Sequence, residues 1–139
     1  MLKVTSILIS FLFAAQGIAM SSAPLPTFKI PNSGTHHFKA YVDNEMALHL
    51  NSNPSTGFTW QYKIEEPKPK CLRISGQKFL KSNSDDGQNA KPGAAGKQEY
   101  IVKFECAGRY KMNFTYSRSW EKNTPPLNET VVEVEVSAD

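Results

Sequence analysis

The stretch Tyr100–Tyr116, YIVKFECAGRYKMNFTY, decides the fold because its apolar residues recur at every second position. A period of two is typical of a β-strand with one buried face. The alternation runs from Tyr100 to Phe104 and again from Tyr110 to Tyr116, and Ala107-Gly108-Arg109 lies between the two runs. We therefore predict two strands joined by a short turn as a hairpin.

The same pattern recurs along the chain, without a convincing helical period. Further candidate strands are residues 38–42, 46–50, 58–62, 72–74 and 132–136, the last of which alternates valine with glutamate. About seven short strands predict an all-β fold, an immunoglobulin-like antiparallel β-sandwich. Trp60 precedes both cysteines, so the Cys…Trp…Cys order of antibody domains is absent, and the sequence leaves the topology open.

The N-terminus has the pattern of a secretory signal peptide. Lys3 precedes an apolar run over residues 7–15, and small residues follow up to Ala23. We predict a signal peptide over residues 1–23, with cleavage after residue 19 as an alternative, and one domain over residues 24–139. No later segment has the roughly 20 apolar residues of a membrane-spanning helix, so no membrane partner is expected.

Charge and cysteine content limit the partners and the compartment. The chain carries 16 Lys and Arg against 13 Asp and Glu, and removal of Lys3 leaves a formal charge of +2. This small excess argues against nucleic-acid binding. In a secreted chain the even count of Cys71 and Cys106 permits a disulfide, and two separate packed thiols are the alternative.

One long segment and two sequons fall outside the strand pattern. Residues 81–97 are polar, rich in Gly and Asn, and have no apolar rhythm; loops of this length are typically functional or disordered. Asn113 and Asn128 each begin an Asn-X-Thr sequence and are candidate N-glycosylation sites.

The turn before Trp60 has the residues of a stiff, uncharged loop. Pro54 fixes its own φ, Asn53 can accept a local hydrogen bond, and Gly57 can adopt a positive φ. Such a turn holds its shape without a partner and is a candidate for display, although an ordinary turn between strands has the same chemistry.

Two other segments are candidate binding loops. In Gly93-Ala94-Ala95-Gly96 the small side chains allow another backbone to approach closely, and a flexible linker is the alternative. Arg118 and Trp120 end the aromatic strand and, two residues apart on an extended chain, can point the same way and stack. Both residue types are enriched in binding hot spots.

These three segments together make the chain resemble the chagasin family of cysteine-protease inhibitors. The family sequence N-P-T-T-G-[YF]-x-W is matched by residues 53–60 with Ser55 in place of Thr. Its G-x-G-G sequence is matched at Gly93 and Gly96, with Ala95 where glycine is usual, and its R-P-[WF] sequence is matched at Arg118 and Trp120, with Ser119 in place of Pro.

The resemblance implies a reversible, tight-binding inhibitor of papain-like cysteine peptidases, including enzymes of the cathepsin L and B type. It implies that three loops enter the active-site cleft and that the protein is a monomer in the secretory pathway, secreted or in lysosome-like or phagosomal vesicles. The implied protease-binding residues are Asn53, Pro54, Ser55, Thr56, Gly57, Phe58, Gly93, Ala94, Ala95, Gly96, Arg118, Ser119 and Trp120.

Two other functions fit parts of the pattern. Immunoglobulin-like sandwiches also serve as secreted adhesion or binding modules, which would use a sheet face or edge. An enzyme has little support, because Cys106 follows the core pattern and no nucleophile motif surrounds Cys71. No cofactor or metal is expected, since the acidic segment at residues 83–87 lacks the spacing of a calcium loop.

Overall fold

The computed structural model describes residues 24–81 and 95–138. The predicted signal peptide and residues 82–94 of the long polar segment lie outside the described residues. In the described part no helix has the length and apolar character needed to span a membrane. The strands are β1 Thr27–Ile30, β2 Gly34–Tyr41, β3 Glu45–Ser52, β4 Thr59–Glu65, β5 Leu72–Lys81, β6 Gly96–Phe104, β7 Gly108–Ser117 and β8 Asn128–Ser137.

The eight strands form two stacked four-stranded sheets. The first sheet has the order β1-β3-β6-β5, and the second has the order β2-β8-β7-β4. The prediction of an immunoglobulin-like β-sandwich is thus confirmed, with β1 as the strand that the sequence pattern did not identify. The sheets are mixed, because β1 pairs with β3 and β2 pairs with β8 in parallel, whereas a purely antiparallel sandwich was expected.

The predicted hairpin across Ala107-Gly108-Arg109 is wrong. Strand β6 pairs with β3 and β5 in the first sheet, whereas β7 pairs with β8 and β4 in the second. The short connection between them crosses from one sheet to the other, and the rings of Phe104 and Tyr110 meet across the core with centroids 4.9 Å apart. Alternation identifies the face that a strand buries, but it does not identify the sheet that the strand joins.

The inward faces of both sheets form one hydrophobic core. Its members follow the predicted alternation most clearly in β6, β7 and β8. The largest fully buried side chains are Tyr100, Tyr110, Phe104, Phe114, Ile30, Leu48, Leu50, Met112, Val102, Val132 and Val134. Burial, with a smaller contribution from Tyr62, raises the pKa of Tyr100 to about 12, so this hydroxyl remains neutral over the physiological range.

A disulfide and a carboxylate fasten one end of the sandwich. Cys71 and Cys106 are joined by a disulfide, which is one of the two alternatives that the sequence left open. Beside them the Glu66 carboxylate accepts hydrogen bonds from the backbone N–H groups of Lys70, Cys71 and Leu72 at 2.9–3.1 Å. This end, where β5 begins and β6 ends, is called the stapled end below. The binding-loop candidates lie at the opposite end.

Replacement of both cysteines by serine is expected to lower the free energy of unfolding. The disulfide closes a loop with a sequence separation of 35, and constraint of the unfolded chain by a loop of this length is worth about 4 kcal/mol. Urea unfolding of the parent and of Cys71→Ser/Cys106→Ser, each with and without a reducing agent, measures the difference. A parent whose unfolding midpoint does not change on reduction would contradict the expectation.

Candidate functional site

The described residues of the three candidate loops adjoin strand ends at the same end of the sandwich. Ser52, the last residue of β3, pairs with Gly96, the first residue of β6. Thr59, the first residue of β4, pairs with Ser117, the last residue of β7. We call residues 53–58 the tip loop and residues 118–121 the Arg-Trp loop. The register therefore brings together segments that are up to 68 positions apart in the sequence.

The tip loop is closed by hydrogen bonds of its own backbone. Pro54–Thr56 form a single 3-10 turn, in which the Thr56 N–H donates to the Asn53 carbonyl at 3.2 Å and the Gly57 N–H donates to the Pro54 carbonyl at 3.0 Å. The Thr56 hydroxyl also donates to the Asn53 carbonyl, at 2.7 Å. Gly57 ends the turn with a φ of 81°, as its sequence position predicts.

The base of the tip loop is attached to the core through Tyr116. The Asn53 N–H donates to the Tyr116 hydroxyl at 2.9 Å. The Tyr116 ring packs against Phe58, with centroids 5.4 Å apart, and against Trp60, at 4.8 Å. The Trp60 indole N–H in turn donates to the Asn51 carbonyl at 2.8 Å. Both ends of the loop therefore rest on buried aromatic rings.

Arg118 connects the Arg-Trp loop to the tip loop. Its Nε donates to the Thr56 carbonyl at 3.0 Å, and its Nη1 lies 3.0 Å from the Glu121 carboxylate. Its guanidinium lies 4.3 Å from the centroid of the Phe58 ring, in a cation–π contact. Stacking of Arg118 with Trp120 was expected from the sequence; the ring that lies under the guanidinium is that of Phe58.

Trp120 covers Gly57 and remains accessible. Its side chain is 65% exposed, which is unusual for an indole in a folded domain. A Cβ placed on Gly57 would lie 2.3 Å from the Trp120 ring. Because Gly57 has no side chain, it can adopt the positive φ, and the Trp120 indole can pack directly against its backbone.

The other candidate residues have separate places. Gly93 and Ala94 lie outside the described residues. Ala95 is exposed, whereas Gly96 is buried in the sheet, where a Cβ would lie 2.3 Å from the Leu80 carbonyl oxygen. Packing within the sheet therefore requires glycine at position 96, whether or not this segment contacts a partner.

The tip loop carries no ionisable side chain, and its closest cation is the paired Arg118. The three histidines of the described residues have partners elsewhere. His49 contacts Glu99 at 2.7 Å, His37 contacts Glu133 at 3.0 Å, and the His36 ring contacts the Ser33 carbonyl at 2.9 Å.

The two sequons lie on the second sheet. Asn113 is half-buried in β7, on the side opposite the buried Met112 and Phe114, and Asn128 is the first residue of β8. The position of Asn113 agrees with the expected outward face of its strand. Glycosylation at either asparagine stays a prediction.

The sequence matches a known family over most of the described domain. The model of the chagasin family of peptidase inhibitors, I42, matches residues 39–134. This protein belongs to the chagasin family. It is therefore a peptidase inhibitor and not an enzyme, and the resemblance seen in the three loop segments is confirmed.

Individual relatives agree with the family assignment. Chagasin from Trypanosoma cruzi is 29% identical over 82 residues, which are 57% of this chain and 69% of that protein. The cysteine protease inhibitor EhICP2 from Entamoeba histolytica has the same fold, with a TM-score of 0.65 at 19% identity over 81% of this chain and 96% of that chain. PbICP-C, solved in complex with falcipain-2, gives a TM-score of 0.53 at 17% identity, over 81% and 98%.

Sequence reasoning missed two residues of this site. Tyr116 was predicted only as a core residue, although a tyrosine near the end of an aromatic strand has a hydroxyl that can reach a loop. Glu121 was not considered, although an acid three positions after Arg118 is within reach of its guanidinium in a turn. Both residues make contacts within the protein that hold the conformation of the loops.

Substitution of Gly57 by alanine is expected to displace Trp120. The added Cβ would overlap the indole, and the left-handed backbone conformation costs about 1–2 kcal/mol with a side chain. The measurement is the NMR shift of the Trp120 indole N–H, with that of Trp60 as internal reference. Gly34→Ala is the control, because Gly34 also has a positive φ of 92° but its Cβ would lie 3.8 Å from the nearest atom, in the His36 ring. Equal shifts of Trp120 in the two variants would contradict the contact.

Proposed function

We propose that this inhibitor blocks papain-like cysteine peptidases reversibly, by seating the tip loop over the catalytic residues in the active-site cleft. The carrying observation is the tip itself, a closed 3-10 turn without charge, fixed at its base by Tyr116 and flanked by an exposed tryptophan. The family assignment and the complex of PbICP-C with falcipain-2, a papain-like enzyme, support the class of target.

The geometry of the tip favours tight binding for two reasons. A loop that is already closed by its own hydrogen bonds loses little conformational entropy on docking. An uncharged tip also avoids the cost of burying an unpaired charge in a desolvated cleft. Protease–inhibitor interfaces bury about 1,600 Å² in total, so residues beside the tip must contribute as well.

Trp120 is the principal candidate for that lateral contact. It is the most exposed of the large hydrophobic side chains in the described residues, and it lies directly beside the tip. Burial of an indole contributes a large apolar area and one hydrogen-bond donor. Ala95 is exposed and directly precedes Gly96, which pairs with the last residue of β3 before the tip loop. We propose that the segment 93–96 adds a second contact through its backbone.

The proposal extends to the partner range and the compartment. We propose targets of the cathepsin L and B type, a monomeric inhibitor, and a location in the secretory pathway or in vesicles that it supplies. The Cys71–Cys106 disulfide supports an oxidising route of synthesis, because such bonds form in secreted proteins and are rare in the cytosol.

Trp120→Ala is expected to weaken inhibition of papain by at least about tenfold, equivalent to about 1.4 kcal/mol, because it removes the exposed apolar anchor. The inhibition constant from titration of papain activity is the measurement. Tyr41→Ala is the control, since Tyr41 is a 55% exposed aromatic residue at the end of β2, towards the stapled end. If both variants inhibit like the parent, Trp120 has no role in binding.

Thr56→Glu is expected to abolish tight inhibition, because the substitution forces a carboxylate into a desolvated cleft. Thr35→Glu places the same charge on an exposed position of β2 and should leave inhibition unchanged. The inhibition constants of both variants are measured against papain and against a lysosomal cathepsin. A Thr56→Glu variant as potent as the parent would show that the tip loop does not enter the cleft.

A further inference from the structure

Three carbonyl oxygens of the tip loop accept hydrogen bonds inside the protein. Those of Asn53 and Pro54 accept backbone N–H groups of the 3-10 turn. The carbonyl of Thr56, in the peptide bond to Gly57, accepts instead from a side chain, the Nε of Arg118, at 3.0 Å. This bond links the end of the turn to the Arg-Trp loop, which follows β7.

A peptidase needs that same oxygen to be available. Hydrolysis begins when a nucleophile attacks the carbonyl carbon, and the oxygen then takes negative charge among preorganised donors of the enzyme. The peptide must also be held in attack geometry, which a compact turn does not present. A carbonyl that already accepts from Arg118 would have to give up this bond and rotate before the Thr56–Gly57 bond could be cleaved.

Arg118 is itself held in place on two further sides. The Phe58 ring lies under the guanidinium at 4.3 Å, and the Glu121 carboxylate accepts from Nη1 at 3.0 Å. Both side chains of this ion pair are about two-thirds covered, at 35% and 33% exposure. Partial burial reduces the screening that weakens fully exposed pairs. The guanidinium therefore has a fixed direction towards Thr56.

We propose that Arg118 is a positioning residue that keeps the tip loop an inhibitor and prevents it from becoming a substrate, and that Glu121 orients Arg118 for this task. The inference rests on the proposed function, because it assumes that the tip loop occupies a peptidase cleft. It assigns resistance to cleavage to the Arg118–Thr56 hydrogen bond, and it predicts the bond that is cut when this contact is removed.

In the test, papain is incubated with a molar excess of each inhibitor variant. Mass spectrometry measures cleavage of the inhibitor over time, and a substrate assay measures the remaining papain activity. The variants are Arg118→Met and Glu121→Gln. Their controls are Arg73→Met and Glu105→Gln, because Arg73 and Glu105 form a comparable ion pair of 3.1 Å at the stapled end. Circular dichroism melting curves check that all four variants are folded.

Arg118→Met is expected to be cleaved at least about tenfold faster than the parent, because a hydrogen bond from a charged donor is lost. Cleavage adds one water across the Thr56–Gly57 bond, with a new carboxylate on Thr56 and a new amine on Gly57. The disulfide does not span this bond, so the two fragments have no covalent link and denaturing mass spectrometry resolves them, and papain activity returns as they accumulate. Glu121→Gln should be cleaved at an intermediate rate, and the two controls should stay as intact as the parent.

Three results would overturn the inference. Arg118→Met could stay intact and inhibit like the parent, it could lose inhibition at once without cleavage, or it could be cut only at other bonds. If Arg118→Met does not fold, an uncleaved Glu121→Gln overturns the inference in its place. A parent that does not inhibit papain or a lysosomal cathepsin refutes the proposed function itself, and with it this inference; an inhibiting parent with uncleaved variants refutes only the role of Arg118.

Discussion

The contact of Tyr116 with the tip loop is the interaction on which the candidate site depends. The ring of Tyr116 belongs to the core and packs between Phe58 and Trp60, whereas its hydroxyl accepts the backbone N–H of Asn53. One side chain thus joins the apolar interior of the sandwich to the first residue of the loop. Because β7 is an interior strand paired on both sides, this attachment is as rigid as the sheet.

The two ends of the sandwich are stabilised by different means. At the stapled end a covalent bond and a carboxylate that accepts three backbone N–H groups fix the chain. At the opposite end the loops are held by hydrogen bonds, ring contacts and one cation–π contact, and they leave an indole exposed. This division suits a binding protein, since groups that hold the stapled end are not needed for contact with a partner and groups at the tip remain accessible.

Much of this arrangement could be predicted from local sequence. Alternation in Tyr110–Tyr116 identified a buried strand, and Pro54 and Gly57 identified a stiff turn, because each of these signals depends only on neighbouring residues. The pairing of β6 and β7 with different sheets, and the parallel pairs of β1 and β2, could not be predicted, because they depend on contacts between distant strands. The contacts of Arg118 with Phe58 and Glu121, called the clamp below, could not be predicted either. They form only after the strands that carry the two loops have paired.

The substitution of Ser119 for the family proline can be understood from that clamp. A proline at this position would restrict the backbone of the Arg-Trp loop directly. In this chain the Glu121 N–H donates to the Arg118 carbonyl at 3.2 Å, and the side chains of the same two residues are joined at 3.0 Å. The loop is therefore closed twice between residues 118 and 121, through its backbone and through an ion pair. In this chain, contacts between the residues on either side of Ser119 therefore restrict a loop in which no proline fixes the backbone.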